Sequence, residues 1–415
     1  MTFGTMKRIG AALVLLAAGA LPAAAERAAA RPEAADRYPV ATDSRLGGDE
    51  NQVRFVIDLS RKIELRAFTL ADPYRVVVDI PQVVFKLPAR SGETGRGLVK
   101  AYRFGLVMQG GSRIVLDLAG PARIDKAFVL DAAAGQPARL VLDLVAVDRD
   151  TFMRSLALNS TPPALQAPRK FAPDPSAKGD PRPLIVLDPG HGGIDHGTRA
   201  AGGDITEKAL VLDFALLLRD QIEKTGRYRV AMTRTDDTFV ALSDRVQLAR
   251  QRQAALFISI HADALRRAEG DAHGATIYTL SDDASDSEAA RLAEAENRAD
   301  VIAGIDLSHE PGDVADIQID LAQRETRTFS THFAKSLVGE LKTVARMHKN
   351  PLKSAGFKVL KAPDVPSVLV ELGYVSNKDD LKQLMSGAWR ARTARAVVQA
   401  VDAFFSTRMA GAPAR

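Results

Sequence analysis

The stretch Leu184-Ile185-Val186-Leu187-Asp188-Pro189-Gly190-His191-Gly192-Gly193 decides the reading of the C-terminal half. Four consecutive apolar residues are too few for a helix and read as a short buried strand. The strand stops at Asp-Pro-Gly. His191 follows in a glycine-rich loop at the strand's carboxyl end, where absent side chains leave a ligand room to approach the imidazole. Downstream, Ile205-Thr206-Glu207-Lys208 opens an amphipathic run from Ala209 to Ile222, closed by Thr225-Gly226, which puts Glu207 in the first turn of a helix. A second apolar strand, Ala255-Leu256-Phe257-Ile258-Ser259-Ile260, delivers His261. A third, Pro366-Ser367-Val368-Leu369-Val370, ends in Glu371-Leu372-Gly373-Tyr374-Val375-Ser376-Asn377. Strand-like and helix-like segments alternate over residues 184–410, which implies an α/β sandwich.

Two strand ends and one helix start therefore each carry a ligand-type side chain. The chain has no cysteine, which excludes disulfides, thiolate metal sites and a cysteine nucleophile, and it has only seven histidines. His191, His261 and Glu207 make a two-imidazole, one-carboxylate set that leaves a fourth position open, and this donor set suits zinc. Glu371, at a strand terminus beside such an ion, is placed to exchange a proton with water and a leaving group. Each residue also has a plain structural explanation, as a helix-cap carboxylate, a core histidine or a salt-bridge partner; the combination is what points to chemistry. His273, His309, His332 and His348 do not end apolar strands and receive no metal role.

Working toward the N-terminus, residues 151–183 are proline-rich and read as an extended spacer. Before it, four segments repeat one pattern: Arg54-Phe55-Val56-Ile57-Asp58-Leu59, Arg75-Val76-Val77-Val78-Asp79-Ile80, Arg113-Ile114-Val115-Leu116-Asp117-Leu118 and Arg139-Leu140-Val141-Leu142-Asp143-Leu144. Alternation puts Phe55, Ile57 and Leu59 on one face of the first strand, with Arg54 and Asp58 on the other. The polar faces can form an Arg–Asp ladder and the apolar faces need a second sheet, so residues 51–150 read as an all-β sandwich. Residues 26–50 are an N-terminal extension. Residues 1–25 have the form of a secretory signal: Lys7-Arg8, an apolar run from Ile9 to Leu21, and Ala23-Ala24-Ala25. The apolar run is too short to span a bilayer, and no other segment is long enough. Over 415 residues the net charge is +5, with 46% hydrophobic residues, so neither disorder nor a nucleic-acid partner is indicated.

The C-terminal motifs resemble the zinc-dependent N-acetylmuramoyl-L-alanine amidases. The resemblance rests on His191 in Asp-Pro-Gly-His-Gly-Gly, Glu207 in Thr-Glu-Lys, His261 in Ser-Ile-His-Ala-Asp and Glu371 in Val-Glu-Leu-Gly-Tyr-Val-Ser-Asn. It implies that His191, Glu207 and His261 bind Zn2+, that Glu371 is the catalytic acid/base, and that peptidoglycan stem peptides are cut from N-acetylmuramic acid. Leu70-Ala71-Asp72-Pro73-Tyr74-Arg75-Val76-Val77-Val78-Asp79 resembles the AMIN domain, which implies peptidoglycan binding and targeting. The whole is then a multidomain periplasmic enzyme acting in wall remodelling and daughter-cell separation. Two departures stand out: Asp263 replaces a common Asn, and Asp195-His196-Gly197 replaces Asp-Pro-Gly, with His196 read as an exposed loop residue.

Residues from about 281 to 318 form an insert. Ala284–Ala299 reads as a helix, with Ser281 or Asp282–Asp283 as cap, followed by a polar loop, Leu307–Asp313. Similar amidases carry a regulatory helix here whose glutamate blocks the metal until a LytM-type activator displaces it. The resemblance implies Glu296 as that inhibitory ligand, with Glu288 and Glu294 as competitors. Two other readings stay open: a catalytically silent wall-binding protein, and a zinc carboxypeptidase or endopeptidase acting on the same stem peptide.

Overall fold

The computed structural model describes residues 38–108, 110–133, 135–158, 179–200, 205–263, 273–304 and 317–410. The expected signal, most of the expected spacer and the loop at Leu307–Asp313 lie outside the described residues.

The N-terminal unit contains β1 (Val40–Gly48), β2 (Gln52–Leu59), β3 (Arg66–Leu70), β4 (Arg75–Pro81), β5 (Val84–Phe85), β6 (Val99–Met108), β7 (Gly111–Leu118), β8 (Ala122–Leu130) and β9 (Ala138–Ala146). They form a five-stranded sheet in the order β5-β1-β2-β9-β8 and a four-stranded sheet in the order β3-β4-β7-β6. The four repeated segments are β2, β4, β7 and β9, and they pair two by two within each sheet. Alternation works as expected. Val53, Phe55, Ile57 and Leu59 face Val76, Val78, Ile114 and Leu116 in one core. The ladder is present as well: Arg54 bonds Asp143 at 2.7 Å, and Arg113 bonds Asp79 at 2.6 Å. The sandwich starts earlier than expected, because β1 pairs with β2 from Ala41 to Gly48 and buries Ala41. Its mixed sequence, Val-Ala-Thr-Asp-Ser-Arg-Leu-Gly-Gly, lacks a clean apolar alternation.

The expected spacer also starts differently. Residues Arg149–Leu158 form helix α1. Asp148 caps it by accepting from Thr151 N at 2.8 Å, and Phe152 packs edge-on against Tyr74 at 5.1 Å.

The C-terminal unit contains β10 (Leu184–Pro189), α2 (Glu207–Lys224), β11 (Arg229–Met232), α3 (Leu242–Gln251), β12 (Leu256–His261), β13 (Ala275–Leu280), α4 (Ser287–Glu296), α5 (Ala299–Ile302), α6 (Ile317–Leu341), β14 (Met347–Ala355), β15 (Ser367–Glu371), α7 (Lys378–Met385) and α8 (Gly387–Ala410). One mixed sheet runs β11-β10-β12-β15-β13-β14, with β13 antiparallel to β15 and the other pairs parallel. Helices α2, α6 and α8 cover one face around Phe214, Leu337 and Phe404. The other face is covered by α3, α4 and a 3-10 turn at Lys358–Leu360, through Leu248, Leu292 and Phe357. The α/β sandwich is thus the architecture observed.

Helix α4 starts at Ser287, three residues after the expected position. Its cap is Asp286, which accepts from Ala289 N at 2.8 Å, and not Ser281 or Asp282–Asp283. A side-chain oxygen caps only when it sits one residue before the first helical one, and Ser287 is that residue here.

The two units touch. The β4–β7 face turned away from the sandwich core carries Val77 and Val115, which cluster with Ile194, Phe239 and Ala303. Arg75 Nη1 donates to Val301 O at 2.6 Å, and Arg103 Nε to Ile302 O at 2.8 Å. Arg113 Nη1 donates to Ala303 O at 3.0 Å and Gly304 O at 3.2 Å. Guanidinium groups from one domain thereby satisfy the orphan carbonyls at the end of α5.

Candidate metal centre

Parallel pairing puts the site at one end of the sheet. In β12 and β15 His261 and Glu371 are register partners, so their side chains share a face on adjacent strands. His191 follows β10, the other neighbour of β12. It takes φ +58°, a conformation that non-glycine residues rarely adopt and that concentrates at functional positions. Glycine is required beside it: a Cβ at Gly190 would lie 2.3 Å from His261 Cε1, and one at Gly197 2.6 Å from Glu207 Oε2.

Glu207 Oε1 stands 3.1 Å from His191 Nε2 and 3.2 Å from His261 Nδ1. Both nitrogens are buried and make no hydrogen bond. Burial without a partner is costly for an imidazole nitrogen, and a shared cation is what such nitrogens fit. Among the described residues, His191, Glu207 and His261 are the group whose ligand atoms gather closely enough to hold a metal ion. Glu296 Oε2 completes the cage at 3.5 Å from His191 Nε2 and 3.2 Å from His261 Nδ1. Separations of 3.1 to 3.5 Å match the edges, about 3.3 Å, of a tetrahedron around zinc. The residues fit the ion.

The three candidate glutamates of the insert separate cleanly. Glu296 points into the cage. Glu294 pairs with Arg298 on the exposed side of α4, and Glu288 is bound to Lys353. Glu371 accepts from Asp263 N at 2.9 Å through Oε2, while its buried Oε1 has no hydrogen-bond partner. Burial pushes its carboxyl well above the ordinary range, and the nearby Asp263, Glu207 and Glu296 charges push the same way. Burial pushes the His191 imidazole down, but Glu207, Asp195 and Glu296 outweigh it and hold it well above the usual value.

Sequence reasoning missed the support behind these groups. Asp195 Oδ2 lies 2.9 Å from His191 Nδ1 and orients the ring. Fully buried Arg245 donates to Asp188 Oδ1 at 2.7 Å and to His191 O at 2.8 Å. Arg234 donates to Pro189 O at 2.9 Å and Gly190 O at 2.7 Å. The available signal was Asp195, four residues after His191 in the same glycine loop; nothing local marked the arginines. His196 is half-buried, not an exposed loop residue, and its ring is 6.5 Å from Phe104 of β6. Burial first, then Lys208 and Arg199, push its imidazole down to about 3. Asp263 accepts from Thr198 Oγ1 at 3.2 Å. His273, His332 and His348 are not in the cage; His309 lies outside the described residues.

Fold and cage together define an α/β metal-site domain carried behind a β-sandwich. The family model for N-acetylmuramoyl-L-alanine amidase matches residues 185–403, and that for the AMIN domain matches residues 43–144. The chain is 35% identical over 377 residues to N-acetylmuramoyl-L-alanine amidase AmiC of Escherichia coli O6:H1, covering 87% of this chain and 88% of that one. It is 33% identical to AmiC of Neisseria meningitidis serogroup B, over 89% of this chain and 91% of that one. Against AmiA of Escherichia coli strain K12 it is 37% identical, over 54% of this chain and 76% of that one. The chain belongs to the N-acetylmuramoyl-L-alanine amidase family, with an N-terminal AMIN domain.

Proposed function

We propose that this protein is an exported, zinc-dependent cell-wall amidase, held off by its own α4 helix. The reaction is hydrolysis of the amide between N-acetylmuramic acid and L-alanine of the peptidoglycan stem peptide. The observation that carries this reading is the convergence of His191 Nε2, His261 Nδ1 and Glu207 Oε1 on one point, beside Glu371.

His191, Glu207 and His261 hold the ion, and Asp195 fixes the His191 ring. A bound zinc supplies Lewis acidity for the attack on the amide carbonyl. Glu371, poised by burial to carry a proton, takes one from the attacking water and returns it to the departing L-alanine nitrogen. No covalent enzyme intermediate is needed, in keeping with a chain that has no cysteine.

Glu296 occupies the corner that substrate needs. With α4 in place, the cavity lined by His191, His261, Glu296 and Phe357 holds about 10 Å³, room for at most one water. Substrate entry therefore requires α4 to move. A LytM-type activator would do this by binding the open state more tightly than the closed one. The AMIN domain binds peptidoglycan and targets the enzyme, the signal segment places it in the periplasm, and the biological role is wall remodelling and daughter-cell separation. Among the described residues no helix is long and apolar enough to cross a membrane.

Metal analysis and muropeptide digestion with the full chain test the reading. The Glu296→Ala variant is expected to retain about one zinc and to release intact peptides with N-terminal L-alanine from purified sacculi, faster than the parent. Adding His191→Ala should remove the metal, and adding Glu371→Ala should keep it while cutting turnover by about a thousandfold. Release of single amino acids would point to a carboxypeptidase instead. No hydrolysis by metal-loaded Glu296→Ala would point to a silent wall-binding protein.

A further inference from the structure

Away from the metal cage, one buried cation has no role in the chemistry above. Lys353, on β14, is 2% exposed. Its Nζ stands 2.8 Å from Glu288 Oε2 and 3.2 Å from Asp286 Oδ2. Both carboxylates belong to the start of α4, the element that has to move. Glu288 is held by one further donor, Tyr374 OH, which donates to Oε1 at 2.9 Å; His348 Nε2 stands nearby, 3.8 Å from Oε2 and beyond hydrogen-bond distance. Tyr374 follows Glu371 by three residues. Tyr278, the register partner of Lys353, is fully buried, and burial followed by the charges of Glu371 and Glu288 holds its hydroxyl above the ordinary value. The cluster is a formed carboxylate receptor beside the catalytic strand, and the anions filling it come from α4.

When α4 leaves, Lys353 loses both of its anions together. A lysine in such a wall is stable only with a replacement charge or with water. The substrate brings one, because stem peptides carry free carboxylates beyond L-alanine. The spacing agrees. Glu288 and Glu296 are eight helical residues apart, about 12 Å at the helical rise. An extended peptide covers that distance in three to four residues, so with the scissile amide at the metal cage, where Glu296 lies, a carboxylate on about the third stem residue comes within reach.

We infer that Lys353, with Tyr374 and His348, is the binding site for a stem-peptide carboxylate, and that Glu288 is its internal stand-in. Helix α4 then mimics substrate at two points: Glu296 at the metal cage and Glu288 at Lys353. This inference rests on the proposed closed state of α4.

The test uses the full chain in the Glu296→Ala background and two synthetic muramyl tripeptides. One has free carboxylates at stem residues two and three; the other has both converted to carboxamides. The Glu296→Ala enzyme should favour the acid form by about tenfold in KM, as expected for one charge-assisted contact. With Lys353→Met added, that preference should fall to near unity with kcat little changed, and Lys353→Arg should restore most of it. If Lys353→Met fails to fold, judged by circular dichroism, Tyr374→Phe replaces it and should reduce the preference two- to fivefold. A preference that survives Lys353→Met, or its absence from the Glu296→Ala enzyme, overturns the inference. The two readings fail separately: turnover of Glu296→Ala against the parent judges the closed state, and the KM ratio within each enzyme judges Lys353.

Discussion

The two ends of the α4–α5 segment are held by different chemistry. At its start, the Asp286 and Glu288 carboxylates meet Lys353 within the catalytic domain. At its end, the neutral carbonyls of Val301, Ile302, Ala303 and Gly304 accept from Arg75, Arg103 and Arg113 of the AMIN domain. The first grip is an ion pair, which any anion of the right reach can replace. The second is a set of hydrogen bonds to backbone, enclosed by Val77, Val115 and Ala303, and no small anion competes for it. A segment so held has one exchangeable end and one fixed end, with Glu296 between them.

The largest effect expected from breaking this asymmetry is at the fixed end. Arg113→Met removes the donor to Ala303 O and Gly304 O and strips the partner from Asp79, which is mostly buried. Leaving one member of such a pair costs about 3 kcal/mol. Urea unfolding should show that loss. Hydrogen exchange should show faster opening of residues 299–304, while residues 287–292 keep their protection. Equal loosening along the whole segment would erase the difference between the ends.

A smaller effect is expected at the exchangeable end in acid. Burial raises the Glu288 carboxyl, but its bonds to Lys353 and Tyr374 prevail and leave it below the ordinary value. A folded-state value below the unfolded one means stability that is complete above the ordinary glutamate range. That stability is lost as pH falls through the lowered value. Asp286, also lowered and also facing Lys353, acts in the same direction. Protection of residues 287–292, corrected for intrinsic exchange, should hold down to about pH 5 and decline below the ordinary glutamate range. The carbonyl grip at 301–304 has no proton of its own to gain, so protection there should decline less. Parallel decline at both ends would contradict the assignment of the segment's carboxylate–lysine ion pairs to its start.

The same contrast explains what the sequence disclosed. Strand ends are locally encoded: apolar runs stop at Pro189, His261 and Glu371, and parallel pairing places their termini together. Glu296 came from the resemblance alone; the helix pattern left Glu288 and Glu294 open beside it, and only the folded geometry separates the three. Other features depend on partners distant in sequence. Arg245 reaches Asp188 across 57 residues, and Arg113 reaches Ala303 across 190. No local periodicity carries such information. The repeated Arg-x-x-x-Asp segments announced a ladder, but the face of β4 and β7 also docks against the catalytic domain, which the alternation alone could not separate from a solvent face. Strand β1 escaped notice because its pattern is polar and closed by two glycines, although its backbone completes the sheet.

The most direct test is a crystal of the full chain grown with zinc, with diffraction measured on both sides of the zinc absorption edge. The account predicts one strong anomalous peak about 2.0–2.2 Å from His191 Nε2, His261 Nδ1 and one oxygen each of Glu207 and Glu296. A zinc-loaded protein with its peak elsewhere, or with His191 and His261 bound to different ions, would contradict it.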